Sequence, residues 1–166
     1  MTAEEAIHIE ATPDAVYAAL ADVTRMGEFS PECYRCEWVG ATLPEVGTRF
    51  RGYNRYGVMR WSRLVEITEA DPGRTFAFQT ISDRKHRGST LWRFQLELAG
   101  AGTHVVQSCE VLAEPDAMTR LVMRLVGGEN DPRPGMRATL ERMKAALEAE
   151  NSAAPFLNCG KSDRSE

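Results

Sequence analysis

The sequence lacks the features that mark exported and membrane-spanning proteins. Only four of its 166 residues are cysteine. Its first residues, MTAEEAIHIEATPD, are acidic where a secretory signal would be basic and then continuously apolar. No apolar run approaches the ~20 residues needed to span a bilayer. We therefore expect a cytoplasmic protein without an integral membrane segment, in which the cysteines stay reduced.

A dominant charge of one sign is also lacking. The 20 Lys and Arg residues against 24 Asp and Glu residues give a formal net charge of -4, with the two signs interspersed along the chain. Such a balance gives no electrostatic ground for binding nucleic acid. The chain length suits one domain with one hydrophobic core.

Signatures of common catalytic and cofactor sites are missing too. The sequence contains no G-x-S-x-G, no P-loop, no G-x-G-x-x-G and no H-E-x-x-H. Nothing in it therefore indicates a serine hydrolase, a nucleotide-binding protein or a zinc protease. His8, His86 and His104 have no second histidine at zinc-site spacing. We expect no cofactor and no bound metal.

One C-x-x-C pair, Cys33 and Cys36, stands in the stretch ECYRCEWVG. Redox pairs of this spacing use a helix N-terminus to activate a thiol, whereas this pair leads into a predicted strand. Side chains three residues apart on a regular strand point to opposite faces, so the two sulfurs are expected to diverge. We therefore interpret both cysteines as ordinary core or surface residues.

Hydrophobic periodicity predicts the order of the elements. Residues 5–11 alternate as a half-buried strand does, and Thr12 with Pro13 begins a helix over about 13–22. A short helical turn precedes a series of strand-like segments joined by turn-rich links. These segments lie at about 34–40, 47–56, 58–70, 74–82, 88–98 and 103–113. Successive strands with short links predict an antiparallel meander.

Helical spacing returns near the C-terminus, first over 118–126 and then over about 133–149. The second helix has one apolar stripe, and its charged residues Arg137, Glu141, Lys144 and Glu148 are predicted to face water. We predict one domain over 1–150 and a disordered tail over 151–166. One helix laid across a curved sheet cannot fill the space above it, so a cavity is expected between them.

Several of these segments carry a family resemblance. They are IEATPDAVYAALADVTRMGEFSPEC, GTRFRGYNRYGVMRWSRLVEITEADPGRTFAF, STLWRFQLE, GTHVVQSCEV and RATLERMKAALE. Over about residues 4–149 the chain resembles the START-like or SRPBCC superfamily, in which lipid-transfer domains, pollen-allergen-type proteins and polyketide cyclases occur. SPEC with FRGYNRYGVMRW is similar to an actinobacterial, polyketide cyclase/dehydrase-like branch.

The resemblance implies an α+β helix-grip fold, in which a curved antiparallel sheet of about seven strands wraps around a long C-terminal helix. Two short helices follow strand 1 in this fold. The fold hosts carriers, enzymes and co-chaperones alike, so it does not by itself define an activity. No compact catalytic signature of the family can be transferred to this sequence, and no catalytic residue is assigned.

Strand alternation predicts which side chains face the cavity. Two polar residues, Asn54 and Arg63, fall on the otherwise apolar inward sets. The candidate cavity residues are Asn54, Trp61, Arg63, Phe76, Phe78, Trp92, Phe94, Met136, Leu140 and Met143. The aromatic residues among them are either core or cavity wall, whereas Trp38 is expected in the core.

Two hypotheses describe the direction of the Arg63 side chain. A buried arginine is costly unless it is paired, so an inward Arg63 indicates a ligand carboxylate, phosphate or enolate, or an internal partner such as Glu110. A β-bulge would instead turn Arg63 to solvent and bring Arg60 inward.

The leading hypothesis is binding, transport or sequestration of a hydrophobic or amphipathic small molecule between the sheet and the C-terminal helix. The first alternative is a polyketide cyclase, aromatase or dehydratase acting in the same cavity. The second is a protein-interaction module of the co-chaperone or toxin-like kind, with a filled core and an exposed apolar patch. The protein is expected to be a monomer or a homodimer.

Overall fold

The computed structural model describes residues 2–82, 88–114, 117, 120–121 and 131–157. It contains seven strands: β1 (Thr2–Ile9), β2 (Cys33–Val39), β3 (Arg49–Tyr56), β4 (Met59–Asp71), β5 (Thr75–Thr80), β6 (Ser89–Ala99) and β7 (Gly102–Ala113). The helices are α1 (Pro13–Ala21), a 3-10 turn (Val23–Arg25), α2 (Met26–Phe29) and α3 (Arg133–Leu157).

The strands form one antiparallel sheet in the order β1-β7-β6-β5-β4-β3-β2. Strands β2 to β7 are neighbours in chain order, as the meander predicts, and β1 pairs with β7 from Thr2↔Glu110 to Ile9↔Thr103. The last strand thus lies beside the first, and β1 and β2 are the two edges. The predicted α+β helix-grip fold is confirmed.

Helix α1 begins as its sequence predicts. The Thr12 hydroxyl accepts a hydrogen bond from the backbone N–H of Ala15 at 3.3 Å, and Pro13 occupies the first turn. This satisfies one of the N–H groups that a helix start leaves open. Val16 and Leu20 of α1 are fully buried, and the helix packs against β5, β6 and β7.

Helix α3 packs its predicted apolar stripe on the core: Met136, Leu140, Met143 and Leu147 are each at most 4% exposed. Arg137 and Glu141 are exposed as predicted, whereas Lys144 and Glu148 are half-buried, and three of these four charged residues also bind the first strand and the residue after it. Arg137 pairs with Glu5 of β1 at 3.1 Å. Lys144 donates to the carbonyl oxygen of His8 at 2.8 Å. Glu148 accepts a hydrogen bond from the backbone just after β1. The helix is therefore attached along β1.

The helix also continues beyond its predicted end near residue 149 to Leu157. The first seven residues of the predicted tail are thus helical, while 158–166 lie outside the described residues. The predicted helical segment over 118–126 lies mostly outside them as well, although Ala117, Arg120 and Leu121 are helical. Among the described residues, no helix combines the length and apolar character needed to cross a bilayer.

Gly27 of α2 is required by a close approach to β2. A Cβ atom added there would lie 2.6 Å from the carbonyl oxygen of Tyr34, whereas one added at Gly135 of α3 would meet no heavy atom within 4 Å. We expect Gly27→Ala to lower the free energy of unfolding by about 1–3 kcal/mol, because backbone must shift. Gly135→Ala should raise it by up to about 1 kcal/mol through helix propensity. Urea unfolding of both variants tests this contrast, and equal effects would contradict it.

Candidate functional site

One face of the sheet carries the buried core and packs against the helices; we call it the inner face. Phe76 and Phe94 lie opposite each other on β5 and β6, and both are at most 1% exposed. They share the core with Leu140 and Met143 of α3, and Met136 is buried near the start of that helix. Five of the ten predicted cavity residues are therefore buried hydrophobic residues.

The other five predicted residues form a half-buried band on the same inner face. Asn54 lies opposite Trp61 across β3 and β4, and Arg63 follows Trp61 at the next inner position. Phe78 lies opposite Trp92 across β5 and β6. We call these residues, Asn54, Trp61, Arg63, Phe78 and Trp92, the inner band. The alternation used to place them on one face holds, because no register shift separates β3 from β4.

Phe78 connects the inner band to the core. Its ring centroid lies 5.5 Å from that of Phe50 and 6.1 Å from that of Phe76. Such tilted and edge-on arrangements are the favoured geometries of aromatic pairs. Trp38 packs edge-on against Phe50 at 6.2 Å and belongs to the core periphery, as its sequence position predicts. Phe78 and Trp38 are thus partly buried aromatic residues that pack against the core.

Arg63 points inward, but its described contacts are with backbone. Its Nη2 donates to the carbonyl oxygen of Gly88 at 2.7 Å and to that of Ile81 at 3.4 Å. The two carbonyls flank the connection between β5 and β6, so the guanidinium ties the two ends of that connection together. The sequence did not indicate this structural role. Contact of Arg63 with a ligand anion stays a prediction.

The two alternatives attached to Arg63 do not hold. Glu110 is exposed and alternates with the buried Cys109, which places it on the outer face away from Arg63. Arg60 also lies outside, with its guanidinium carbon 6.0 Å from the ring centroid of Tyr34. No bulge therefore inverts β4 at this position.

Gln107 is an inner-face residue that was not among the predicted cavity residues. It lies on β7 opposite Phe94 of β6 and Glu5 of β1, and it is 4% exposed. Its side-chain carbonyl oxygen is buried without a hydrogen-bond partner among the described residues. A buried acceptor left open in this way costs about 1–3 kcal/mol. Strand alternation could have predicted this position, since Gln107 is two residues from Val105 and from Cys109, both of which are buried.

The predicted divergence of Cys33 and Cys36 is wrong. The register of β2 against β3 shifts between Cys33 and Arg35, and this bulge turns both sulfurs to the same side. The Sγ atoms lie 3.4 Å apart. A Cβ atom added at Gly52 of β3 would lie 3.6 and 3.7 Å from them, so both sulfurs sit over this glycine.

The two thiols are chemically unequal. A hydrogen bond from Cys36 is the main cause that lowers the pKa of the Cys33 thiol, with help from the backbone of Arg35 and Tyr53. The pKa of Cys36 is raised by its contact with Cys33 and by burial. Burial also raises the pKa of Cys109 to about 11. Among the described residues, no group of three or more Cys, His, Asp or Glu side chains is arranged to hold a metal ion.

Solved structures share this fold at low sequence identity. The Zhui aromatase/cyclase from Streptomyces sp. R1128 superposes with a TM-score of 0.69 at 16% identity, over 93% of this chain and 97% of that one. Major latex-like protein 151 from Panax ginseng gives 0.65 at 13% identity, over 90% and 96%. The di-domain aromatase/cyclase StfQ of the steffimycin pathway gives 0.69 at 14% identity, over 91% of this chain and 51% of that one. These similarities establish the fold alone.

The sequence matches a family model but no individual curated protein. No curated protein matches the chain significantly. The family model described as polyketide cyclase / dehydrase and lipid transport matches residues 1–148, which is nearly the whole described domain. The chain therefore belongs to the polyketide cyclase/dehydrase and lipid transport family.

Proposed function

We propose that the protein binds a largely apolar, hydroxyl-bearing small molecule between the inner face of the sheet and α3. The observation that carries the proposal is the inner band of half-buried aromatic and polar side chains, with the open acceptor of Gln107 near it. Trp92 lies opposite Cys109, one inner position along β7 from Gln107. A ligand that packs on Trp92 would therefore lie one inner position from Gln107.

The chemistry of these groups defines the ligand class. Trp61, Phe78 and Trp92 favour flat or extended apolar surface, whose burial contributes about 2.5 kcal/mol for each 100 Å². The open acceptor of Gln107 favours a ligand that donates a hydrogen bond, such as a phenol, an enol or an alcohol. A polyketide-like aromatic compound or a hydroxylated lipid satisfies both conditions. The family's description, which joins polyketide chemistry with lipid transport, supports the same choice.

A pair of matched probes tests the proposal. 2-Naphthol and 2-methylnaphthalene have similar shapes, but only the first donates a hydrogen bond. We expect both to bind the wild-type protein, measured by quenching of tryptophan fluorescence and checked by calorimetry. Trp92→Ala should weaken both probes by at least about tenfold, because it removes a large apolar contact. Absence of binding by either probe would contradict the proposal.

Cyclase, aromatase or dehydratase activity in the same space is the second candidate, and the family description supports it. Such chemistry requires a group that transfers protons. Among the described strand residues of the inner face, Glu5 is the one carboxylate, and it is engaged by Arg137. Because this carboxylate is already paired, we take binding as the leading candidate.

Arg63→Ala distinguishes the two candidates. If the variant retains binding of an aromatic polyketide mimic but loses a turnover that the wild type shows, Arg63 stabilises developing negative charge and the enzyme hypothesis leads. The binding hypothesis predicts no turnover in either protein. Circular dichroism of the variant is needed as a control, because Arg63 also holds the ends of the β5–β6 connection.

A further inference from the structure

The bulge in β2 builds a close pair of thiols that the proposed ligand binding does not use. The sulfurs of Cys33 and Cys36 lie 3.4 Å apart, compared with ~2.05 Å in a disulfide. The pair lies at one edge of the sheet, since β2 is an edge strand. Two thiols held together in this way are arranged to react as a unit.

Exposure and acidity give the two sulfurs different roles. Cys33 is half-buried, whereas Cys36 is 5% exposed. The hydrogen bond from the Cys36 thiol stabilises the Cys33 thiolate and lowers its pKa. The more accessible sulfur is therefore also the better nucleophile, and the buried one keeps its proton until a second step. Burial of Cys33 and, to a lesser extent, the charge of Glu32 oppose this effect, but the hydrogen bond from Cys36 is the larger influence on the pKa.

We propose that Cys33 and Cys36 form a hydroperoxide-reactive dithiol, with Cys33 as the attacking and Cys36 as the resolving cysteine. The Cys33 thiolate attacks the outer oxygen of a hydroperoxide, the O–O bond breaks, and the released alkoxide or hydroxide takes up a proton. Cys33 becomes a sulfenic acid. The Cys36 thiol then attacks the sulfur of this sulfenic acid. The hydroxyl group of the sulfenic acid leaves as water, and the disulfide closes. In total, two thiols are oxidised and one hydroperoxide is reduced to an alcohol, or to water from hydrogen peroxide.

The site touches the proposed ligand space but does not depend on it. Cys36 lies opposite Gly52, and Cys33 lies opposite Asn54 of the inner band. A disulfide would therefore stiffen β2 beside Asn54. The reaction itself requires only the two thiols, so it can be tested whether or not the protein binds an apolar ligand.

The test uses the full-length chain carrying Cys109→Ser and Cys159→Ser, so that the pair contains its only cysteines. The protein is treated with equimolar hydrogen peroxide, and its intact mass and its peptides are then analysed after alkylation. We expect the loss of two hydrogen atoms, protection of both Cys33 and Cys36 from alkylation, and recovery of both with a reducing agent. Unchanged alkylation of the two thiols, or oxidation only between molecules, would overturn the proposal.

Single variants separate the two roles. Cys33→Ser should slow peroxide consumption at least about tenfold, because the activated thiolate is gone. Cys36→Ser should still consume one equivalent, but should accumulate a sulfenic acid that dimedone traps. Wild-type protein in which Cys109 oxidises as fast as Cys33 would count against a built site. So would a Cys33→Ser variant that reacts at the wild-type rate.

The pH dependence of alkylation provides a third readout. Cys33 must be deprotonated to react, so its rate should rise with pH through its lowered pKa and then level off. Cys109, with a pKa of about 11, should still be slow where Cys33 has reached its plateau. The groups that act on Cys33 are Cys36, Glu32 and the backbone of Arg35 and Tyr53. Identical profiles for Cys33 and Cys109 would contradict the assigned roles.

Discussion

Replacing Leu140 by alanine is expected to lower the free energy of unfolding by about 2–5 kcal/mol. Leu140 is 1% exposed at the centre of the apolar stripe of α3 and lies in the main core cluster. Truncation removes buried methyl groups and leaves a cavity that the rigid sheet beneath cannot close. Equilibrium unfolding in urea, with a constant slope against denaturant, measures this loss.

The neighbouring residue provides the control. Glu141 is the next residue of the helix and is exposed. Glu141→Ala should change the free energy of unfolding by no more than about 0.5 kcal/mol, because it buries no surface. Similar losses for Leu140→Ala and Glu141→Ala would mean that α3 does not pack on the sheet through its apolar stripe.

Replacing Gln107 by leucine should raise stability and reduce ligand selectivity. The buried, unpartnered side-chain oxygen destabilises the free protein, and leucine fills similar space without it. We expect the free energy of unfolding to rise by about 1 kcal/mol. The preference for 2-naphthol over 2-methylnaphthalene should fall by up to about tenfold, which corresponds to a hydrogen bond of about 1.4 kcal/mol.

Gln95→Leu is the matched control for this variant. Gln95 is one residue from Phe94 on β6 and is exposed on the outer face. Its replacement should leave both stability and the probe ratio nearly unchanged. A stability loss in Gln107→Leu, or an unchanged probe ratio, would show that the side chain is satisfied in solution and does not receive the ligand.

Regular periodicity explains why most of the fold could be predicted from the sequence. The meander, the capped start of α1 and the apolar stripe of α3 all follow from local patterns of two or 3.6 residues. The same alternation placed Asn54, Trp61 and Arg63 on the inner face, because β4 is regular across these positions. Local pattern was sufficient wherever a strand or helix was uninterrupted.

The errors occur where local pattern is interrupted or where distant segments meet. A bulge after Cys33 reversed the expected direction of one sulfur, and no residue type in CYRC announces a bulge. The backbone contacts of Arg63 with Ile81 and Gly88 join positions 18 and 25 residues away. The attachment of Arg137 to Glu5 spans 132 residues. Such partners depend on the assembled sheet, which a single sequence does not display.

Binding of a small apolar molecule on the inner face is most directly tested by native mass spectrometry. The protein would be incubated with lipid and aromatic extracts of its own host, and any released compound analysed after denaturation. We expect one defined, hydroxyl-bearing compound bound at one copy per chain, and weaker retention by Trp92→Ala. A clean ligand-free mass after every extract, with equal behaviour of wild type and variant, would contradict it.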